Sequence, residues 1–160
     1  MSKLFNNIEF EHIISLGHNC DIANSLIDIN ARGTSFPFDW TLTTIDYIIE
    51  CFDTKFENFF NIDLMNESPK GQQNCANYKN LIYFVHAGAY QNLKNDSNFY
   101  KSKKDQFDRR IKRLYEKLNS ETNILFVVDN HFSTFENLSK LINKLNEYKF
   151  KANIKLLVFS

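Results

Sequence analysis

A thiol, an imidazole and a carboxylate each stand just beyond an apolar run in this sequence. Gly17, His18, Asn19 and Cys20 follow the run at residues 12–16, His86 follows the run at 81–85, and Asp129, Asn130 and His131 follow the run at 123–128. In open α/β sheets, ligands bind outside the carboxyl ends of the strands. If these runs are strands of one such sheet, the three groups meet at one edge with the composition of a nucleophile, a base and an orienting acid.

Cys20 has a physical reason to be reactive there. With Asn19 as helix cap, Cys20 falls in the first turn, where unpaired N–H groups and the helix dipole favour a thiolate and lower its pKa. Asp21 opposes that shift. The plainer alternative is a small buried residue beneath a tight turn at Gly17, and His86 has its own, a strand-end histidine that hydrogen-bonds a loop. His18 and His131 read as surface residues. Cys20, His86, His131 and Asp129 lack any local ligand spacing, so neither a metal nor another cofactor is expected. A phosphate cradle over residues 15–20 has one glycine where a dinucleotide fingerprint needs three.

The elements that must position these groups follow from periodicity. The runs at 12–16, 81–85, 123–128 and 154–159 are short and continuously apolar, as strands buried on both faces are. Helical stripes lie between them: Ile22, Leu26 and Ile29; Leu42, Ile45, Ile48, Ile49 and Phe52; Phe107, Ile111, Leu114 and Leu118; and Leu138, Leu141, Ile142 and Leu145. The last stripe opens with Ser133-Thr134-Phe135-Glu136, the S-x-x-E form of a capping box. This alternation predicts an α/β fold, a three-layer, Rossmann- or flavodoxin-like arrangement with a mostly parallel sheet and helices on both faces. All four runs are expected in one sheet, at least the first three parallel. The polar stretches 61–80 and 88–104 read as candidate lids.

Composition narrows the partners. Lys+Arg and Asp+Glu both number 19, so no global field recruits nucleic acid or an anionic membrane. No apolar run approaches the roughly 20 residues of a membrane span, and the first residues lack a signal-peptide core. Cys20, Cys51 and Cys75 are an odd number at wide spacings, which argues against a disulfide framework and for a cytoplasmic protein with reduced thiols. Cys51, beside Phe52 on a helix, reads as buried, and Cys75, in a polar loop, as an ordinary exposed thiol. The basic residues from Lys101 to Arg113 read as a solvated face, with an anion-binding role for Arg109 or Arg110 left open.

The segment Thr34-Ser35-Phe36-Pro37-Phe38-Asp39-Trp40 sets one carboxylate among three aromatics. Such an acid needs a partner, a helix N-terminus or a cation such as a histidine, unless it simply caps a helix beginning near Thr41. Phe36, Phe38 and Trp40 are expected to be mostly buried.

Together, "SLGHNC", "SFPFDW", "YFVHA", "DQFDRRIKRL" and "NILFVV", in that order over nearly the whole chain, resemble the family of papain-like cysteine peptidases of uncharacterised function. The resemblance implies Cys20 as nucleophile, His86 as base and Asp39 as acid. Relatives commonly carry an acidic residue directly after the histidine, where this chain has Ala87. At 160 residues and 43% hydrophobic content, one domain over residues 1–160 is expected, and relatives usually continue past the position of Ser160, which leaves truncation at its C-terminus open. Papain-like enzymes place the cysteine on a long helix against an antiparallel barrel, whereas the pattern here predicts a parallel sheet.

Three functions are consistent with these residues. The first is a cysteine hydrolase or acyltransferase acting on a small-molecule or peptide substrate, with Asp39 or Asp129 orienting His86, Ser15, Gly17, Asn19 and Trp40 in support, and first-turn N–H groups as oxyanion hole. The second is a non-catalytic module that holds a phosphate or sugar-phosphate at the helix N-terminus behind Gly17, with Arg109 or Arg110 as counter-charge. The third is an ester hydrolase using Ser15.

Overall fold

Residues 3–5, 8–17, 20–69, 75–129 and 134–159 are described by the structure, a computed structural model. In chain order the elements are β1 (Lys3–Phe5), β2 (Ile8–Phe10), β3 (His12–Ser15), α1 (Cys20–Asp28), β4 (Leu42–Thr43), α2 (Ile45–Asp53), a 3-10 turn (Ile62–Leu64), β5 (Asn66–Glu67), β6 (Ala76–Tyr78), β7 (Ile82–Tyr83), α3 (Tyr90–Asn95), α4 (Ser97–Leu118), β8 (Asn123–Asp129), α5 (Phe135–Glu147) and β9 (Asn153–Phe159).

Three of the four apolar runs pair as expected. Strands β3, β8 and β9 form a parallel sheet in that order, with Ser15 opposite Val127 and Asp129 opposite Phe159. Its two faces feed two apolar clusters, because side chains alternate along a strand. Ile14, Ile124, Phe126 and Val128 join the main core with Leu114, Leu118, Leu141 and Leu145 of the helices α4 and α5. Leu125 and Val127 face the other way, onto Ile22 and Leu26 of α1 and onto Phe10.

The run at 81–85 departs from expectation. Its strand, β7, lies in a separate antiparallel sheet of order β4-β7-β6-β5. A tight turn makes the β6–β7 hairpin: Lys79 and Asn80 have φ of 48° and 58°, and the Leu81 N–H donates to the Tyr78 carbonyl at 2.8 Å. The fold is thus mixed α/β, a parallel sheet beside an antiparallel one, and the single mostly parallel sheet of a Rossmann-like arrangement is not what these strands form.

Other boundaries shift by a residue or a turn. The helix α2 starts at Ile45 behind Thr44, whose hydroxyl accepts from the Tyr47 N–H, so Leu42 belongs to β4 and Asp39 caps no helix. Helix α5 is capped by Thr134 rather than Ser133, which lies outside the described residues. Ile29 and Ile142 of the helical stripes are exposed. Neither polar stretch is a structureless lid: 61–80 carries the 3-10 turn, β5 and β6, and 88–104 carries α3 and the start of α4.

Phenylalanine binds the antiparallel half to the helices. Phe84, fully buried just after β7, meets Phe60 at 4.9 Å, Phe59 at 5.3 Å and Phe107 of α4 at 5.4 Å between ring centroids, all edge-on. No described helix is long and apolar enough to cross a membrane.

Candidate active site

The nucleophile's platform begins where β3 ends. Gly17 has φ +83°, and a Cβ there would lie 2.6 Å from Thr43 Cγ2, 3.1 Å from Thr41 Oγ1 and 3.2 Å from the Phe38 carbonyl. Only glycine combines that backbone with that approach, so the end of the parallel strand presses directly on the 38–43 segment. Ser15 is buried and its Oγ accepts the Gly17 N–H at 3.1 Å. It braces the turn, and the ester-hydrolase reading is left without an exposed hydroxyl. His18 and Asn19, with the expected cap, lie outside the described residues. Cys20 is the first residue of α1.

His86 reaches this thiol from the other sheet. Its Nε2 lies 3.4 Å from Cys20 Sγ, a contact between residues 66 apart in sequence. Phe84 fixes the backbone two residues earlier, and the Trp40 ring meets the imidazole edge-on at 5.5 Å. The Arg32 guanidinium lies over the same Trp40 ring, 5.2 Å from its centroid. Trp40 is half-buried at φ 65°, a conformation costly for a bulky residue and held only where the surroundings over-determine it.

Those surroundings centre on Asp39, 1% exposed. Its Oδ2 accepts from Arg32 Nη2 at 2.8 Å, Arg32 Nε at 3.1 Å and the Phe36 N–H at 2.7 Å. The required cation is therefore an arginine, seven residues upstream. Burial pushes the Asp39 carboxyl up, against the pull of the Phe36 N–H and then of Arg32. Phe36 and Phe38 are buried as expected.

The electrostatics of Cys20 run opposite to expectation. Burial, and then Asp21, push its thiol up rather than down. The other two thiols are both buried, Cys75 included, so Cys75 is not the ordinary exposed thiol that its polar surroundings suggested. Burial pushes the Cys75 thiol up, and the Cys51 thiol more strongly.

A cavity of about 310 Å³ opens beside His86, lined also by Asp39, Trp40, Lys103, Gln106, Phe107 and Arg110. Arg110 is half-buried with its guanidinium 5.2 Å from the Phe107 ring centroid, while Arg109 is exposed. Asp129 ends β8 two residues past the partner of Ser15, at the same carboxyl edge; Asn130 and His131 lie outside the described residues. No cluster of three or more His, Cys, Asp or Glu residues suited to a metal ion occurs among the described residues.

Sequence reasoning missed Arg32, Lys103 and Gln106. A buried carboxylate in need of a cation was a signal for Arg32. Lys103, Gln106, Phe107 and Arg110 recur at i, i+3, i+4 and i+7, the spacing of one helix face, but their mixed polarity hid the stripe within a basic run.

Fold and site together define an α/β protein that pairs a helix-start thiol with an imidazole. Residues 11–159 match the family described as "Putative papain-like cysteine peptidase (DUF1796)", and the chain belongs to that family. Neither a curated protein nor a solved structure matches it.

Proposed function

We propose that the protein is a cysteine hydrolase or acyltransferase in which Cys20 attacks an acyl carbon and His86 is the base. The observation that carries this reading is the 3.4 Å separation of Cys20 Sγ and His86 Nε2 at the start of a helix. Burial and Asp21 hold the thiol up, so Cys20 needs a base to give up its proton. In the attack, the thiol proton passes to Nε2, the Sγ–acyl bond forms, and the leaving group departs with that proton from His86. The backbone N–H groups of the first turn of α1 stabilise the oxyanion. Water, or an acceptor hydroxyl or amine, then attacks the thioester with His86 again as base, which regenerates the thiol.

Asp39 serves in this reading as a positioning residue: it fixes Arg32, Arg32 packs on Trp40, and Trp40 holds the imidazole. Asp129, at the same strand edge, is the second candidate for the orienting acid.

The test is acylation of Cys20 by 4-nitrophenyl acetate, read by peptide mass and by the burst of 4-nitrophenol. A stoichiometric acetyl group on Cys20 is expected, with acylation slowed roughly 10²- to 10⁴-fold in His86→Ala. Acylation of Cys20 no faster than that of a free thiol would instead support the non-catalytic binding module.

A further inference from the structure

The cavity beside His86 is lined by a guanidinium that donates no hydrogen bond to the described residues. Arg110 is half-buried, and its guanidinium makes no hydrogen bond to any protein group among the described residues; it lies over the face of Phe107, and the Asp39 carboxylate acts on it only through space. A guanidinium presents five donors in a planar fork and keeps its charge. Taking it partly out of water without an acceptor is unfavourable unless something else supplies one. Lys103, two helical turns earlier on the same face of α4, lines the same cavity, with its Nζ 5.5 Å from the Phe99 ring centroid. Asp39 offsets part of the Arg110 charge through space, while Arg32, Arg113 and Arg109 add positive potential around it. Asp39 is the one carboxylate in the lining, and its Oδ2 is taken up by Arg32 and the Phe36 N–H.

We infer that this cavity holds an anionic oxygen group of the substrate, a carboxylate or a phosphate, between Arg110 and Lys103, so that the acyl compounds processed at Cys20 carry a negative charge remote from the reacting carbon. This rests on the thiol-enzyme reading above. Arg110, Lys103 and His86 line the same cavity, and Cys20 Sγ lies 3.4 Å from His86 Nε2, so charge and acyl carbon belong to one molecule of modest size. A volume of about 310 Å³ is near the lower limit for ligand pockets. Trp40, Ala87 and Phe107 also line the cavity, which suits a short apolar spacer between charge and acyl group.

The experiment compares acylation of Cys20 by neutral 4-nitrophenyl acetate and butyrate with that by the anionic mono-4-nitrophenyl succinate and glutarate, read by protein mass. In each case the Sγ–acyl bond forms and the ester C–O bond breaks, 4-nitrophenolate leaves with the electron pair, and the thiol proton leaves through His86 to solvent. The anionic esters should react roughly ten- to a hundredfold faster than the neutral ones. Arg110→Gln should remove most of that ratio, Lys103→Gln part of it, and Arg110→Lys should restore some. Competition by sodium acetate against inorganic phosphate then identifies the anion: stronger inhibition of the anionic-ester reaction by phosphate assigns a phosphate-bearing substrate, stronger inhibition by acetate a carboxylate. Equal rates for charged and neutral esters, with Cys20 acylated by both, would overturn the anion site and leave the nucleophile standing. Failure of every ester to acylate Cys20 would sink the thiol-enzyme reading, and the anion site with it.

Discussion

The two sheets hold their halves of the site by different means. The parallel sheet that leads to Cys20 is tied by a continuous ladder, seven register pairs between β8 and β9 and four between β3 and β8. The antiparallel sheet that leads to His86 has strands of only two or three residues, too short to be rigid through their own hydrogen bonds. Its rigidity comes from beneath, from the packing of Phe84 on Phe59, Phe60 and Phe107. The thiol is placed by backbone pairing and the imidazole by side-chain packing, so changes to the aromatic floor should damage the site through His86 alone.

The largest effect is expected from that floor. Phe84→Ala removes a fully buried ring and should cost about 3–5 kcal/mol in urea unfolding. Where the variant remains folded, Cys20 should behave toward alkylating reagents as it does in His86→Ala. If the variant kept the wild-type reactivity of Cys20, packing would not be what places the imidazole.

Arg32→Ala attacks the link between the halves. It strands the buried Asp39 carboxylate with one backbone donor, and removing one partner of a buried pair costs about 3–5 kcal/mol. The pH dependence has a definite sign. Burial already raises the Asp39 pKa in the folded protein, and losing Arg32 raises it further. The variant's added instability is therefore small at low pH, where the carboxyl is protonated, and grows as pH rises through the folded pKa. Unfolding curves for both proteins at several pH values check this; a penalty independent of pH would show that Asp39 is not the group left stranded.

A smaller effect is expected at the seam. Gly17→Ala meets a positive φ and a 2.6 Å approach to Thr43 Cγ2, which together cost about 2–4 kcal/mol. Thr43→Ala clears that approach and should recover part of the loss in the double variant. No recovery would mean that backbone conformation and the approaches to Thr41 Oγ1 and the Phe38 carbonyl account for the cost.

The same contrast explains what could be read from the sequence. The runs that build β3, β8 and β9 are continuous apolar segments between amphipathic helices, a pattern that strands buried on both faces produce. The run at 81–85 has the same pattern because it too is buried, and apolar continuity does not encode strand direction. Its neighbours are invisible for a different reason: Leu42–Thr43, Asn66–Glu67 and Ala76–Tyr78 are too short to show any period. The placement of Cys20 after a strand and at a helix start was legible from one glycine and a change of period. Its partner was legible only as the histidine after another apolar run. The raised thiol was legible only in part, from Asp21, because its larger cause is burial, and the chain packed on Cys20 includes His86, 66 residues away. Cys75 shows the same limit, since its polar surroundings concealed a buried side chain.

The central claim is that Cys20 and His86 act as one proton-transfer pair, and the most direct measurement is the rate of iodoacetamide alkylation of Cys20 from roughly pH 5 to 9 in wild type and His86→Ala. Cys51 and Cys75 are too buried to serve as references, so free N-acetylcysteine takes that role. The account predicts a wild-type rate at neutral pH well above that of His86→Ala. The variant should titrate as a single thiol with a pKa above the usual value of about 8.5, because burial and Asp21 both push it up. Superimposable profiles for the two proteins would contradict it, and would reduce the 3.4 Å approach of Cys20 and His86 to a packing contact.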